Sequence, residues 1–174
     1  ALRAEVATLT ASSVADLSTY LRIGTHNSKP AVIFEAANVL VLDGSGGTDG
    51  TTNGLGNLIV GYDENNSDVK VGSHNLVVGK DHTYSSYGGL VAGYDNNITE
   101  VSASVSGGYL NTASGPYSSV SGGDGNTASG SRSSVSGGKN NTASGIRSSV
   151  SGGYTNTASG GNSSVSGGYT NTAS

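Results

Sequence analysis

Cysteine is absent from this 174-residue chain, which excludes a disulfide framework and any thiolate-ligated metal. Aromatic residues make up 6% and charged residues 11% of the sequence, less of both than a mixed α/β enzyme carries. Scarce charge also argues against a solvated disordered tail, which combines low hydrophobicity with high net charge. Eight Lys and Arg against twelve Asp and Glu leave a net charge of −4. There is thus no basic stripe to neutralise phosphates, and neither nucleic acid nor a membrane surface is an expected partner. No run of about 18 apolar residues and no signal-peptide pattern is visible, so direct membrane insertion by this stretch is not expected. The pattern opens inside a helical stretch and stops at Ser174 partway through a repeat, as expected of a piece of a longer chain. What is abundant is small: Gly fills 29 positions and Ser is comparably frequent, a composition for β-structure built from small residues.

Residues 101–174 form a tandem array. In register they read SVSGGYLNTASGPYS, SVSGGDGNTASGSRS, SVSGGKNNTASGIRS, SVSGGYTNTASGGNS and SVSGGYTNTAS. Val105, Val120, Val135, Val150 and Val165 lie fifteen residues apart, and Ala113, Ala128, Ala143 and Ala158 keep the same period. A short fixed period predicts a stacked solenoid, because one unit has too little apolar surface to fold without a neighbour. Alternation within SSVSGG places Val on one face and its flanking Ser residues on the other. Within NTASG, Asn and Ala share a face opposite Thr and Ser. The Gly pair after the first strand and the Gly closing the second are expected to form corners at positive φ. Asn111, Asn126, Asn141, Asn156 and Asn171 are expected to stack into a ladder that bonds the backbone at one corner.

The array begins upstream in degenerate form. NLIVG at 57–61, NLVVG at 75–79 and GLVAG at 89–93 align with the SVSGG strands, so Ile59, Val77 and Val91 join the Val105 column. The extra residues around DENNSDVK belong in a turn. Four segments result: a helix over 1–23, a β connector or neck over 24–56, irregular roll turns over 57–100 and regular repeats over 101–174. The first segment has no Gly or Pro before Gly24 and carries stripes at Leu2, Val6 and Leu9 and at Val14, Leu17 and Leu21, with eleven-residue spacings that suit a parallel coiled coil. Gly24 is read as its C-terminal cap. In the second, AVIF at 31–34 and VLVL at 39–42 are expected to pair as a hairpin or connector sheet.

Each regular unit offers a core only one Val and one Ala. Association of chains is the expected remedy: a homotrimer aligned by the coiled coil, its three rolls burying their Val, Ala and Gly faces against one another.

Catalytic signals are weak. No GxSxG elbow exists, every repeat Ser belongs to a periodic pattern, and the chain is not expected to be an enzyme. GSHNLVVGK lacks phosphate-loop spacing, since six residues separate Gly72 from Gly79 and Asp81 follows Lys80. The DGSGGTDG stretch lacks the ligand order of an EF-hand. His74 and His82 flank a strand, where hydrogen-bonding turn histidines are favoured over a metal site on a trimer axis. No cofactor, metal or catalytic residue is assigned. Surface contacts, to carbohydrate or protein, are assigned to His74, His82, Tyr84, Tyr87, Tyr109, Tyr117, Tyr154 and Tyr169. The Thr row from Thr112 to Thr172 suggests an ice-binding alternative.

The unit SVSGGxxNTASGxxS resembles the head repeat of YadA-type trimeric autotransporter adhesins, which pairs an S-V-A-x-G strand with an A-x-A-x-G strand. Similar repeats occur in phage tail fibres. The likeness covers 57–174, and the helix and connector resemble the stalk and neck that accompany such heads. It departs in its fifteen-residue period and in the Gly and Asn that replace one apolar residue of each strand. The resemblance implies a mainly β fold, a trimeric left-handed parallel β-roll preceded by a short trimeric coiled-coil helix. It further implies a homotrimeric, extracellular or virion fibre segment with adhesive contacts to a host, prey or matrix surface.

Overall fold

The computed structural model describes residues 19–64 and 68–174. Most of the helix expected over 1–23 therefore lies outside the described residues, and no helix occurs among those described. The chain divides into two units, 1–40 and 41–174.

In the first unit, β1 (Leu21–His26) and β2 (Lys29–Phe34) form an antiparallel hairpin that pairs Leu21 with Phe34 and His26 with Lys29. Asn27 and Ser28 close it with φ of 48° and 62°, the double left-handed conformation of a type I′ turn, whose twist matches that of the flanking strands. Two expectations are corrected here. The end of the expected helix is strand, and Gly24 sits opposite Ala31 within the ladder rather than capping a helix. AVIF does enter a hairpin, but with 21–26, because the two-residue turn Asn27-Ser28 stands immediately before β2. Residues 39–42 join no sheet and their side chains are exposed.

The second unit is a parallel β-solenoid of about eight turns. Its early strands are β3 (Leu58–Val60), β4 (Leu76–Lys80), β5 (Thr83–Tyr84), β6 (Leu90–Tyr94) and β7 (Asn97–Ile98). Thereafter each turn supplies one Ser-Val and one Thr-Ala strand of two residues, from β8 (Ser104–Val105) and β9 (Thr112–Ala113) to β16 (Ser164–Val165) and β17 (Thr172–Ala173). The first kind stack into an eight-stranded sheet and the second into a seven-stranded sheet. Identical residues meet across turns, Val120 beside Val105 and Val135, Ala128 beside Ala113 and Ala143.

The core lies between the two sheets, within one chain. Val77, Val91, Val105, Val120, Val135 and Val150 are fully buried from one side, and Ala113, Ala128, Ala143 and Ala158 from the other; Val165 is buried too. This corrects the expected trimer packing: the Val and Ala faces are already closed inside each roll, since alternation on both sheets turns them toward each other. Ile59 shares the Val column but remains 41% exposed, because the second sheet begins only at β5 and no strand faces β3. Asp63 and Val69 bond to Tyr84 at that end instead.

Two glycine roles separate at the corners. Gly123 has φ of 94°, and a Cβ there would lie 2.2 Å from the Gly138 carbonyl oxygen. Gly130, which closes the second strand, is not left-handed; its added Cβ would meet the Gly145 oxygen at 2.0 Å. The closing Gly thus serves the close approach of the next turn, not the expected positive φ. The left-handed residue is two positions on, as in Tyr117 (59°), Arg132 (58°) and Arg147 (56°). Strand N–H groups donate to the following turn, as Ser119 does to Ser133, whereas Arg132 and Arg147 donate back to Pro116 and Ser131. The left-handed residue reverses the bonding direction, and bulky residues occupy it at a cost of roughly 1–2 kcal/mol.

Gly130→Ala is expected to lower stability by several kcal/mol through backbone displacement, whereas Ser136→Ala, on the exposed outer face, should change it by less than about 0.5 kcal/mol. Urea unfolding followed by circular dichroism measures both.

Candidate functional site

The asparagine ladder positions everything around it. Asn111, Asn126, Asn141 and Asn156 are fully buried, and Asn171 continues the row at an exposed turn. The Asn141 Oδ1 accepts the Asn156 backbone N–H at 2.9 Å, while its Nδ2 donates to the Gly137 and Gly153 carbonyls at 3.0 and 2.9 Å. Each carboxamide thus bridges its own corner and the next turn. Asn96 belongs to the same ladder, with its Oδ1 2.7 Å from the Asn111 nitrogen.

One turn further upstream the ladder is completed by His82. Its ring is fully buried; Nδ1 accepts the Asn96 N–H at 3.2 Å, which leaves Nε2 to donate to the Val78 carbonyl at 3.1 Å. His82 is therefore a ladder residue and not a surface contact, an imidazole doing the accepting and donating of a carboxamide. A second, shorter ladder was not anticipated. Asn57 Oδ1 accepts the Asn75 backbone N–H at 2.9 Å, and Asn75 Oδ1 accepts that of Gly89 at 2.8 Å. The Asn-Leu shared by the first two degenerate repeats was its signal.

His74 stands apart from His82. Its ring is mostly buried against the Gly-rich loop, with Nε2 accepting the Asp43 N–H and Nδ1 facing the Thr48 carbonyl, both at 3.3 Å. Asp43, Gly44, Gly46, Gly47, Thr48, His74 and Leu42 line an open cavity of about 300 Å³. Asp43 is buried there, and the Ser45 backbone N–H and hydroxyl, at 2.8 and 2.7 Å from Oδ1, hold its carboxyl below the usual range. The structure does not bring the two histidines into one site, and among the described residues no three His, Asp or Glu side chains converge as a metal site would require.

Tyr84 is also buried rather than available for contact. It takes the column position of Ile98 and Ala113 and sends its hydroxyl to Asp63 Oδ2 at 2.7 Å. Lys70 Nζ holds the other Asp63 oxygen and the Asp63 carbonyl, each at 2.7 Å. These bonds fasten Asp63 and Lys70 beside Tyr84 at the open end of the core. Burial, reinforced by the Asp63 hydrogen bond and charge, pushes the Tyr84 phenol well above its ordinary pKa. Tyr87 is half-buried and bridged to Ser73.

The remaining tyrosines lie exposed at the corners. Tyr94, Tyr109, Asp124, Lys139, Tyr154 and Tyr169 form one row, joined turn to turn by single parallel bridges. Tyr94 and Tyr109 stack at 5.1 Å, Tyr154 and Tyr169 at 5.4 Å, and Lys139 meets Asp124 at 2.8 Å. That bond to Asp124 raises the Lys139 pKa. At the other corner Arg132 lies 5.3 Å from the centre of the Tyr117 ring. Stacking covers one face of each paired ring, and Tyr117 and Tyr169 remain exposed, so these rows both stiffen the corners and leave aromatic surface outward.

Asn141→Ala would orphan the Asn156 N–H and the Gly137 carbonyl at about 1–3 kcal/mol each, and would remove one of the two donors to the Gly153 carbonyl, which keeps the Lys139 N–H; unfolding by urea should therefore register a loss of several kcal/mol. The pH profile of stability should fall at both ends. Tyr84 keeps its proton longer when folded, so its contribution is intact below about pH 10 and is lost as pH rises further. Asp43 acts oppositely, contributing above about pH 4 and losing that contribution as pH falls. Thermal unfolding across pH should show a weaker alkaline decline in Tyr84→Phe and a weaker acid decline in Asp43→Asn.

No protein-family model and no curated protein matches the chain.

Proposed function

We propose that this chain is a structural, adhesive segment of a homotrimeric fibre, displayed at a cell surface or on a virion and related in design to the YadA-type heads whose repeat it resembles. In this reading the roll is left-handed and a coiled coil precedes it. Function is multivalent display: three copies on one fibre raise avidity for a carbohydrate or protein on another cell or matrix without a deep pocket at any one site.

The observation that carries the reading is an apolar outer face confined to the early turns. On the first sheet, register places Leu58, Leu76 and Leu90 in one outward column and Val60, Val78 and Ala92 in the next. Leu58, Val60 and Leu76 are exposed by 53%, 55% and 39%, although from β4 onward the opposite face of this sheet supplies the core, with Val77 fully buried. From β8 onward the Leu column continues as Ser104 and Ser119, so the sheet itself does not require leucine there. Contiguous outward apolar residues that the fold does not need mark a contact surface. Identical chains each carry it, as a closed symmetric assembly demands. The contact between rolls is therefore assigned to this face, not to the buried Val and Ala columns.

Native mass spectrometry and light scattering are expected to find three copies, and Leu76→Asp with Leu90→Asp to yield monomers that keep the parent circular dichroism spectrum. A parent chain that remains monomeric at micromolar concentration overturns the reading.

A further inference from the structure

The outer face of the second sheet is lined by threonine in the regular turns, where that of the first sheet carries serine. Thr112, Thr127, Thr142 and Thr157 point outward in one column, with Ser114, Ser129 and Ser144 two residues on in the next, while the intervening Ala is fully buried. Among the described residues, the hydroxyls of these Thr and Ser residues make no hydrogen bond to protein, so all of them are available to water. All charged side chains of the regular turns sit at the corners, which leaves this face neutral.

Its regularity is that of a lattice. The backbone N–H of Thr112, Thr127, Thr142 and Thr157 meets the next turn's Asn carbonyl at 2.8 Å in every case. Hydroxyls therefore repeat at the strand spacing of about 4.7–4.9 Å along the stack and at about 6.5–7 Å across it, two residues apart on one strand. Each Thr immediately follows a buried ladder Asn, which fixes its backbone, and its β-branch restricts χ1. The result is a stiff two-dimensional array of hydroxyl groups, with a methyl beside each hydroxyl of the Thr column. Water bound to such an array is held at fixed, repeating positions, which a liquid does not match and a crystal does.

We propose that this Thr-Ser face binds crystalline ice, a second activity independent of how many chains assemble. The first sheet supplies an internal contrast. Its outward residues are also hydroxylic, at Ser119 and Ser134, but they lack the β-branch that fixes the threonines; one Ser hydroxyl on each face bonds to protein, Ser149 to Ser164 at 3.2 Å and Ser159 to the Ala173 carbonyl at 3.4 Å. Ice recognition is assigned to the threonine face only.

The test uses the whole chain, with thermal hysteresis and ice recrystallisation as readouts and thermal unfolding as a check that each variant is folded. The parent is expected to slow recrystallisation and to shape ice crystals. Thr127→Lys with Thr142→Lys should return both readouts to the buffer baseline, and Thr127→Ser with Thr142→Ser should weaken them by loss of the methyls. Ser119→Lys with Ser134→Lys, on the first sheet, should leave them unchanged. A parent without effect on ice overturns the proposal, as does equal loss in the two lysine variants. Binding of the parent to powdered chitin or cellulose with no effect on ice also overturns it, assigning the array to a crystalline polysaccharide.

Discussion

The solenoid depends on one buried carboxamide per turn. A side chain that accepts from the next turn's backbone and donates to two glycine carbonyls satisfies polar groups that the narrow interior shuts away from water, where an orphan is costly. The geometry is unforgiving, because Gly123 must leave room both for the Asn126 Nδ2, which an added Cβ would meet at 2.5 Å, and for the Gly138 carbonyl. Asn and Gly are consequently tied together in every regular turn. Variation is pushed to the corner pairs, where side chains point away from the ladder.

The same constraint explains the graded interior. Early turns widen the core with Tyr84 and Ile98 and still keep a ladder, by using His82 where later turns use Asn. At the end that lacks a second-sheet strand, Asp63 is held between Tyr84 and Lys70. An uncovered end would expose both core and strand edge. Beyond β8 the interior narrows to Val and Ala, and the outward leucines give way to serine. The apolar outward face and the neutral hydroxyl face thus belong to different lengths of one stack.

Corner side chains add stiffness along that stack. Stacked Tyr pairs, the Asp124–Lys139 ion pair and Arg132 over Tyr117 each connect successive turns. As exposed contacts they contribute little individually, but they recur where left-handed residues already strain the backbone.

The solenoid, its period, the inward Val and Ala columns and the asparagine ladder were legible in the order of residues, because a stack of identical turns converts sequence period directly into spatial neighbours. The β1–β2 hairpin was not, since helix propensity in the Ala- and Leu-rich start outweighed the signal of Asn27-Ser28. Burial of His82 and Tyr84 was equally hidden. Both lie in the irregular turns, where the period that identifies a column is broken, and only the register of neighbouring strands shows which column each has joined. The sequence by itself thus determined that the turns stack and which small residues face inward. Tertiary structure decided that each chain closes its own core, because two facing sheets of one chain consume the Val and Ala surfaces and leave only the outer columns to meet anything else.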